Sequence, residues 1–272
     1  MECNVVSFQA AFGKRDVVLL TLDALRFDVA HQAMQKAKLP NFAALLPQGF
    51  EARQTPGTFT FAAHQAFFAG FFPTPAHTAP QQRPMALRFP GSRTTGPTTL
   101  LLEGTSIVAA FAQANYRTIC IGGTGFFNPQ TPLGTVLPAL FQEAHFGRDM
   151  GVTSPVSAEV QFALAQKRLG ELPDSQRVFL FVNLSATHPP TRIFHSGAKK
   201  ESCETQTAAL CHIDRHLPVL TAALKKRGGA VGIVCSDHGT CFGEAGDDGY
   251  VGHRIAHPNV LTVPYAEFEV SA

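Results

Sequence analysis

Val17-Val18-Leu19-Leu20-Thr21-Leu22, followed at once by Asp23, is the stretch on which the fold turns. Its apolar residues run without period-2 alternation, which suits a strand covered on both faces, as in a parallel sheet. Three further runs have the same character: residues 117–121, 178–183 and 231–235. Helical periodicity falls between the runs, over residues 29–37, 39–46, 62–68, 107–114, 157–169 and 203–226. This alternation predicts an α/β fold, a three-layer α/β/α sandwich with a mostly parallel central sheet.

At 272 residues and 45% apolar content, the chain is large enough for a substantial core without staples. A single domain over 1–272 is expected, with irregular excursions at 72–99 and 122–137, both rich in Pro, Thr and Gly. The 22 Lys plus Arg nearly cancel the 20 Asp plus Glu, so no electrostatic footprint for nucleic acid or an anionic membrane is present. Six cysteines, none in a C-x-x-C pair, read as reduced thiols. Lys14 and Arg15 follow a short mixed stretch, the reverse of a secretory signal, and no apolar run reaches the roughly 18 residues of a membrane span. A soluble cytoplasmic protein is the expectation. Two entries of the composition stand out: 23 Phe with no Trp, and 11 His.

Open α/β sheets bind ligands at the carboxyl ends of their strands. There the chain delivers Asp23, then His188, then Asp237-His238. Asp23 is either a helix N-cap or a carboxylate neutralised by a cation. Adjacent Asp237 and His238 offer oxygen and nitrogen to one divalent ion, or cap a turn. Thr58, Thr60 and His64 precede an apolar helical run, where hydroxyls serve as caps or meet a phosphoryl group at a helix N-terminus. Residues 122–137 (GGTGFFNPQTPLGTVL) follow a strand, but prolines replace the helix that a phosphate-cradling loop requires, so a structural loop is expected.

T-L-D-A-L-R-F-D at 21–28, T-F-A-A-H-Q-A-F-F-A-G at 60–70, N-L-S-A-T-H-P-P at 183–190 and S-D-H-G-T-C-F-G-E at 236–244 occur in this order. Together they resemble the alkaline phosphatase and sulfatase superfamily of metal-dependent hydrolases, over about residues 16–265, nearest to a small bacterial branch. The resemblance implies an alkaline-phosphatase-like fold. Sulfatases carry Cys or Ser ten residues before the helix glycine and Arg four residues after that nucleophile. Here those places hold Thr60, counted back from Gly70, and His64. Thr58 is the competing nucleophile if the loop shifts by two.

By the same resemblance, Asp23, Thr60, Asp237 and His238 form one metal site. His188 and His253 contact the transferred group or a second metal. Leu184 stands where two-metal phosphatases usually have an aspartate, so a second ion would borrow Glu244, Asp247 or Asp248. His257 can substitute for His253, and His64 is taken as a catalytic and substrate-contacting residue; Arg254 and Lys199 or Lys200 hold substrate charge or are solvated loop residues. One or two divalent ions are implied, Zn first, with Mn, Mg or Ca as alternatives. The first expectation is hydrolysis of phosphate monoesters or diesters through a phosphothreonine on Thr60. The alternatives are a phosphoryl- or phosphoethanolamine-type transferase, a sulfatase-like hydrolase, and a catalytically silent metal-binding module. The expected partner is a small-molecule or head-group phosphoester; the oligomeric state is open, a homodimer included.

Overall fold

The computed structural model describes residues 6–70, 85–87, 100–102, 106–244, 247 and 249–272. Its centre is a seven-stranded sheet: β1 (Asp16–Leu22), β2 (Glu51–Gln54), β3 (Arg117–Ile121), β4 (Glu143–His145), β5 (Val178–Leu184), β6 (Ala230–Cys235) and β7 (Thr262–Val270). The spatial order is β2-β7-β6-β1-β5-β3-β4. Pairings from β6 across to β4 are parallel, and β7 runs antiparallel to both β6 and β2. The mostly parallel sheet is thus as expected from the apolar runs.

Successive residues of β1 and β5 point to opposite faces. Val18, Leu20, Leu180 and Val182 pack on one side against helices α1 (Phe27–Gln35), α2 (Pro40–Leu45), α5 (Ser157–Glu171) and α6 (Cys203–Lys226). On α6, Leu210, Ile213, Leu217, Leu220 and Leu224 keep helical spacing and form its buried stripe. A reciprocal capping box between Ser202 and Thr205 starts that helix. The other face carries Val17, Phe179, Phe181 and Val231 under α3 (Thr60–Ala69) and α4 (Ile107–Gln113). This layer absorbs much of the phenylalanine: Phe111 stacks on Phe179 at 4.3 Å and Phe68 meets Phe181 edge-on at 5.1 Å.

The excursion expected at 72–99 lies outside the described residues, except that Met85–Leu87 pairs in parallel with Leu100–Leu102. The stretch 122–137 is irregular, built on short 3-10 turns at Gly125–Phe127 and Leu133–Thr135. Its Gly123 and Thr124 amides both donate to Asn183 Oδ1, at 3.2 and 3.1 Å, so they serve structure and cradle no phosphate. Within the described residues no helix is long and apolar enough to cross a membrane.

Candidate metal centre and cleft

The β1–β5 register sets Thr21 opposite Asn183 and Leu22 opposite Leu184, while Thr21 also faces Cys235 on β6. The three strand ends are therefore level, and the loops that leave them carry Asp23, His188 and Asp237-His238 to one edge of the sheet. Ala24 takes a left-handed φ of 59° and aims its amide at Asp237 Oδ1, 3.1 Å away. Ser236 Oγ accepts from the Leu25 amide at 3.0 Å and lies 2.6 Å from the Leu22 and His238 carbonyls, tying the first loop to the last.

Thr60 reaches the same point as the first residue of α3. The preceding loop lies so close to the helix that a Cβ on Gly57 would come within 2.5 Å of the Ala63 nitrogen, which only glycine avoids. Thr55 Oγ1 hydrogen-bonds to the Asp237 carbonyl and fixes the loop to the strand end. Thr60 Oγ1 then stands 3.5 and 3.4 Å from the two Asp23 oxygens and 3.4 Å from His238 Nε2. His238 Nε2 is 3.5 Å from Asp237 Oδ2.

Asp23, Asp237 and His238 are fully buried. Burial raises both carboxyls, to about 6, and the nearby Asp237 charge adds to the rise at Asp23; burial lowers His238 to about 4. Among the described residues Asp237 Oδ2 has no hydrogen-bond partner, an orphan atom that a buried carboxylate does not tolerate without a cation. His238 donates from Nδ1 to the Gly239 carbonyl at 2.8 Å, which leaves the Nε2 lone pair facing Thr60 and both carboxylates. Two carboxylates, one imidazole nitrogen and a hydroxyl fit a divalent ion of the Zn, Mn or Mg type.

Asn183 was not singled out from the sequence. It donates from Nδ2 to Asp23 Oδ2 at 2.8 Å and to Thr21 Oγ1 at 3.3 Å. His64 closes the same network from behind. Its Nδ1 donates to the Thr60 carbonyl at 2.7 Å, and Nε2 accepts from Thr21 Oγ1 at 3.1 Å. The expectation that His64 touches substrate is therefore corrected. Both ring nitrogens are spent inside the protein, the ring is fully buried among Phe67, Phe127 and Phe181, and burial lowers its pKa to about 3. Thr58 is not part of the cluster; its carbonyl accepts from the Arg254 amide at 2.9 Å.

A cleft of about 410 Å³ opens in front of Thr60, lined by Thr124, His188, His253 and Arg254 among others. The rings of His238 and His253 lie 4.4 Å apart, and those of His188 and His253 5.5 Å. His188 donates from Nδ1 to the Pro189 carbonyl at 2.6 Å, leaving Nε2 without a partner among the described residues. Burial and the neighbouring histidines lower His253 to about 3.

The carboxylates expected to complete a second ion at His188 and His253 are committed elsewhere. Glu244 lies 3.6 Å from Arg26, and Asp247 accepts from the Phe242 amide and from Asn259 at 2.7 and 2.6 Å; Asp248 is outside the described residues. Leu184 packs into the core. His257 is likewise not at the cleft as a substitute for His253. Its Nδ1 accepts from the Asn259 amide and lies 3.4 Å from Cys241 Sγ, in a separate group with Asp247 whose candidate ligand atoms all lie within 4.8 Å of one another.

No protein-family model and no curated protein matches this sequence. Solved structures do match. The C-terminal periplasmic domain of EptC from Escherichia coli, in complex with Zn, aligns at a TM-score of 0.63 and 15% identity, covering 94% of this chain and 73% of that one. The corresponding domain of the phosphoethanolamine transferase EptC from Campylobacter jejuni gives 0.61 at 13% identity, covering 94% and 79%. An alkaline phosphatase superfamily protein from Vibrio parahaemolyticus gives 0.57 at 17% identity, covering 94% and 60%. The fold of this chain is that of the alkaline phosphatase superfamily.

Proposed function

We propose that this protein is a metal-dependent enzyme that transfers a phosphoryl-type group, taken onto Thr60 as a phosphothreonine and passed on to an alcohol acceptor. The observation that carries this reading is the convergence of the Thr60 hydroxyl with Asp23, His238 and the orphan Asp237 Oδ2. Transfer takes precedence over hydrolysis, the first expectation, because phosphoethanolamine transferases are among the proteins that share the fold. Water remains the competing acceptor.

Asp23, Asp237 and His238 would hold the ion, and a divalent ion bound there supplies a lowered hydroxyl pKa and charge neutralisation at the phosphoryl oxygens. The protein's own contribution is positional. His64 and Thr21 fix the first turn of α3, so the Thr60 oxygen faces the cleft. Asn183 holds the Asp23 carboxylate in place. Thr60 releases its hydroxyl proton to solvent, and attack by its Oγ1 on phosphorus forms the O–P bond as the bond to the leaving oxygen breaks; the acceptor oxygen later displaces Oγ1 from phosphorus. His188, its Nε2 without a partner among the described residues, delivers a proton to the leaving oxygen and later takes one from the acceptor hydroxyl. A reducing cytoplasm is our reading of where the protein works, supported by the buried free thiols of Cys120, Cys235 and Cys241.

The test is to incubate Zn-loaded protein with an aryl phosphate, quench in acid and map the phosphorylated peptide, then compare turnover with and without an added alcohol. Label on Thr60 and acceleration by the alcohol are expected. Turnover that survives Thr60→Ala overturns the assignment.

A further inference from the structure

Arg254 sits in the left-handed region at φ 79°, which a residue with a Cβ adopts only when its surroundings impose it. Those surroundings are the loop that delivers Thr60. The Arg254 amide donates to the Thr58 carbonyl at 2.9 Å, and its guanidinium lies over the Phe59 ring at 5.8 Å. The side chain is exposed, lines the Thr60 cleft, and makes no ion pair among the described residues. Thr124, 6% exposed, lines the same cleft, and among the described residues its buried Oγ1 has no hydrogen-bond partner. No carboxylate belongs to the described lining of that cleft.

We propose that Arg254 and Thr124 form an anion subsite beside Thr60, so that the substrate is a phosphoester bearing a second negative charge and not one with a cationic head group. This rests on the reading of Thr60 as the phosphoryl acceptor. An ammonium group placed in the cleft meets the Arg254 guanidinium with no acidic residue in the described lining to balance it. A carboxylate or second phosphate meets a preplaced cation and a free hydroxyl donor.

Three inert phosphonates of similar size separate these cases: carboxyethylphosphonate, ethylphosphonate and aminoethylphosphonate, titrated calorimetrically into Zn-loaded protein. The carboxylate compound should bind about tenfold more tightly than the ethyl compound, and the ammonium compound most weakly. Arg254→Ala should abolish the carboxylate advantage, Arg254→Lys should keep most of it, and Thr124→Val should weaken the carboxylate compound. Equal affinity for the carboxylate and ethyl compounds, or an advantage that survives Arg254→Ala, overturns the subsite. Either result leaves the Thr60 assignment standing, since that assignment is read separately from the phosphorylated peptide.

Discussion

Asn183 donates from Nδ2 to Asp23 Oδ2 at 2.8 Å, while its Oδ1 receives the amides of Gly123 and Thr124. A single buried amide thus joins the Asp23 carboxylate, proposed above as a metal ligand, to the loop that forms one wall of the cleft. Asn183→Leu keeps approximate volume and removes every one of these bonds. Zn affinity is expected to fall about 10- to 100-fold, as is usual when the partner orienting a ligand is lost. Competition with a chromophoric chelator measures this, and unfolding in EDTA reports any separate stability loss. Unaltered Zn affinity would show that Asp23 needs no such support.

His64 is a positioning residue, held 2.7 Å from the Thr60 carbonyl and 3.1 Å from Thr21 Oγ1. His64→Phe preserves the aromatic packing and strands both partners. A stability loss of about 1–3 kcal/mol is expected from the unmet buried groups. The kinetic signature separates this role from substrate contact: kcat should fall with KM nearly constant. A rise in KM at constant kcat would return His64 to the substrate surface.

Much of the fold was legible because strands buried on both faces declare themselves as unbroken apolar runs, as at β1 and β5. β7 escaped notice. Pro264 interrupts it, and Glu267 and Glu269 alternate outward with buried Phe268 and Val270, the habit of an antiparallel strand with one wet face. β2 is Glu-Ala-Arg-Gln and wholly exposed, with no apolar signal to find. In the site, Asp23, Thr60, Asp237 and His238 were legible as chemistry at strand and helix ends. Asn183 and Thr124 were not: Asn183 meets Asp23, 160 positions away, through the register of β1 against β5, and Thr124 meets Asn183 through that of β3 against β5. His64 misled for a local reason: four residues after Thr60 it shares that helical face, yet its bond back to the Thr60 carbonyl turns the ring away from the cleft.

At the other end of the sheet, Asp16 and Arg227 form a buried ion pair, Nε to Oδ2 at 2.7 Å, and Asp16 Oδ1 accepts the Val178 amide at 3.0 Å. Arg227 also donates to the carbonyls of Leu169, Leu172 and Gln176, so it closes the turn after α5 as well. Arg227→Met leaves the buried Asp16 carboxylate with Arg177, 3.6 Å away, in place of its close partner. A destabilisation of about 3–5 kcal/mol is expected in chemical denaturation. Asp16→Asn together with Arg227→Met should recover part of that loss, because no charge is then stranded. Failure of the double variant to exceed the single one would assign the cost to the lost carbonyl contacts.

Glu143 on β4 gathers Arg168 at 2.5 Å, Arg117 at 3.0 Å and His145 at 2.6 Å, joining the edge of the sheet to α5. Hydrogen bonds from Arg168 lead the shift that holds its carboxyl near 2, well below 4.5, with His145 and Arg117 adding to it against the effect of burial. The folded state therefore binds the carboxyl proton less readily than the unfolded chain. The stabilisation is complete above pH 4.5 and disappears as the pH falls toward 2. Glu143→Gln removes the charge at every pH. Wild type should exceed the variant by about 1–3 kcal/mol at neutral pH, and the gap should narrow steadily below pH 4.5. Urea unfolding of both proteins across that range gives the difference directly. A gap that stays constant with pH would place its origin in packing and not in the carboxylate's charge.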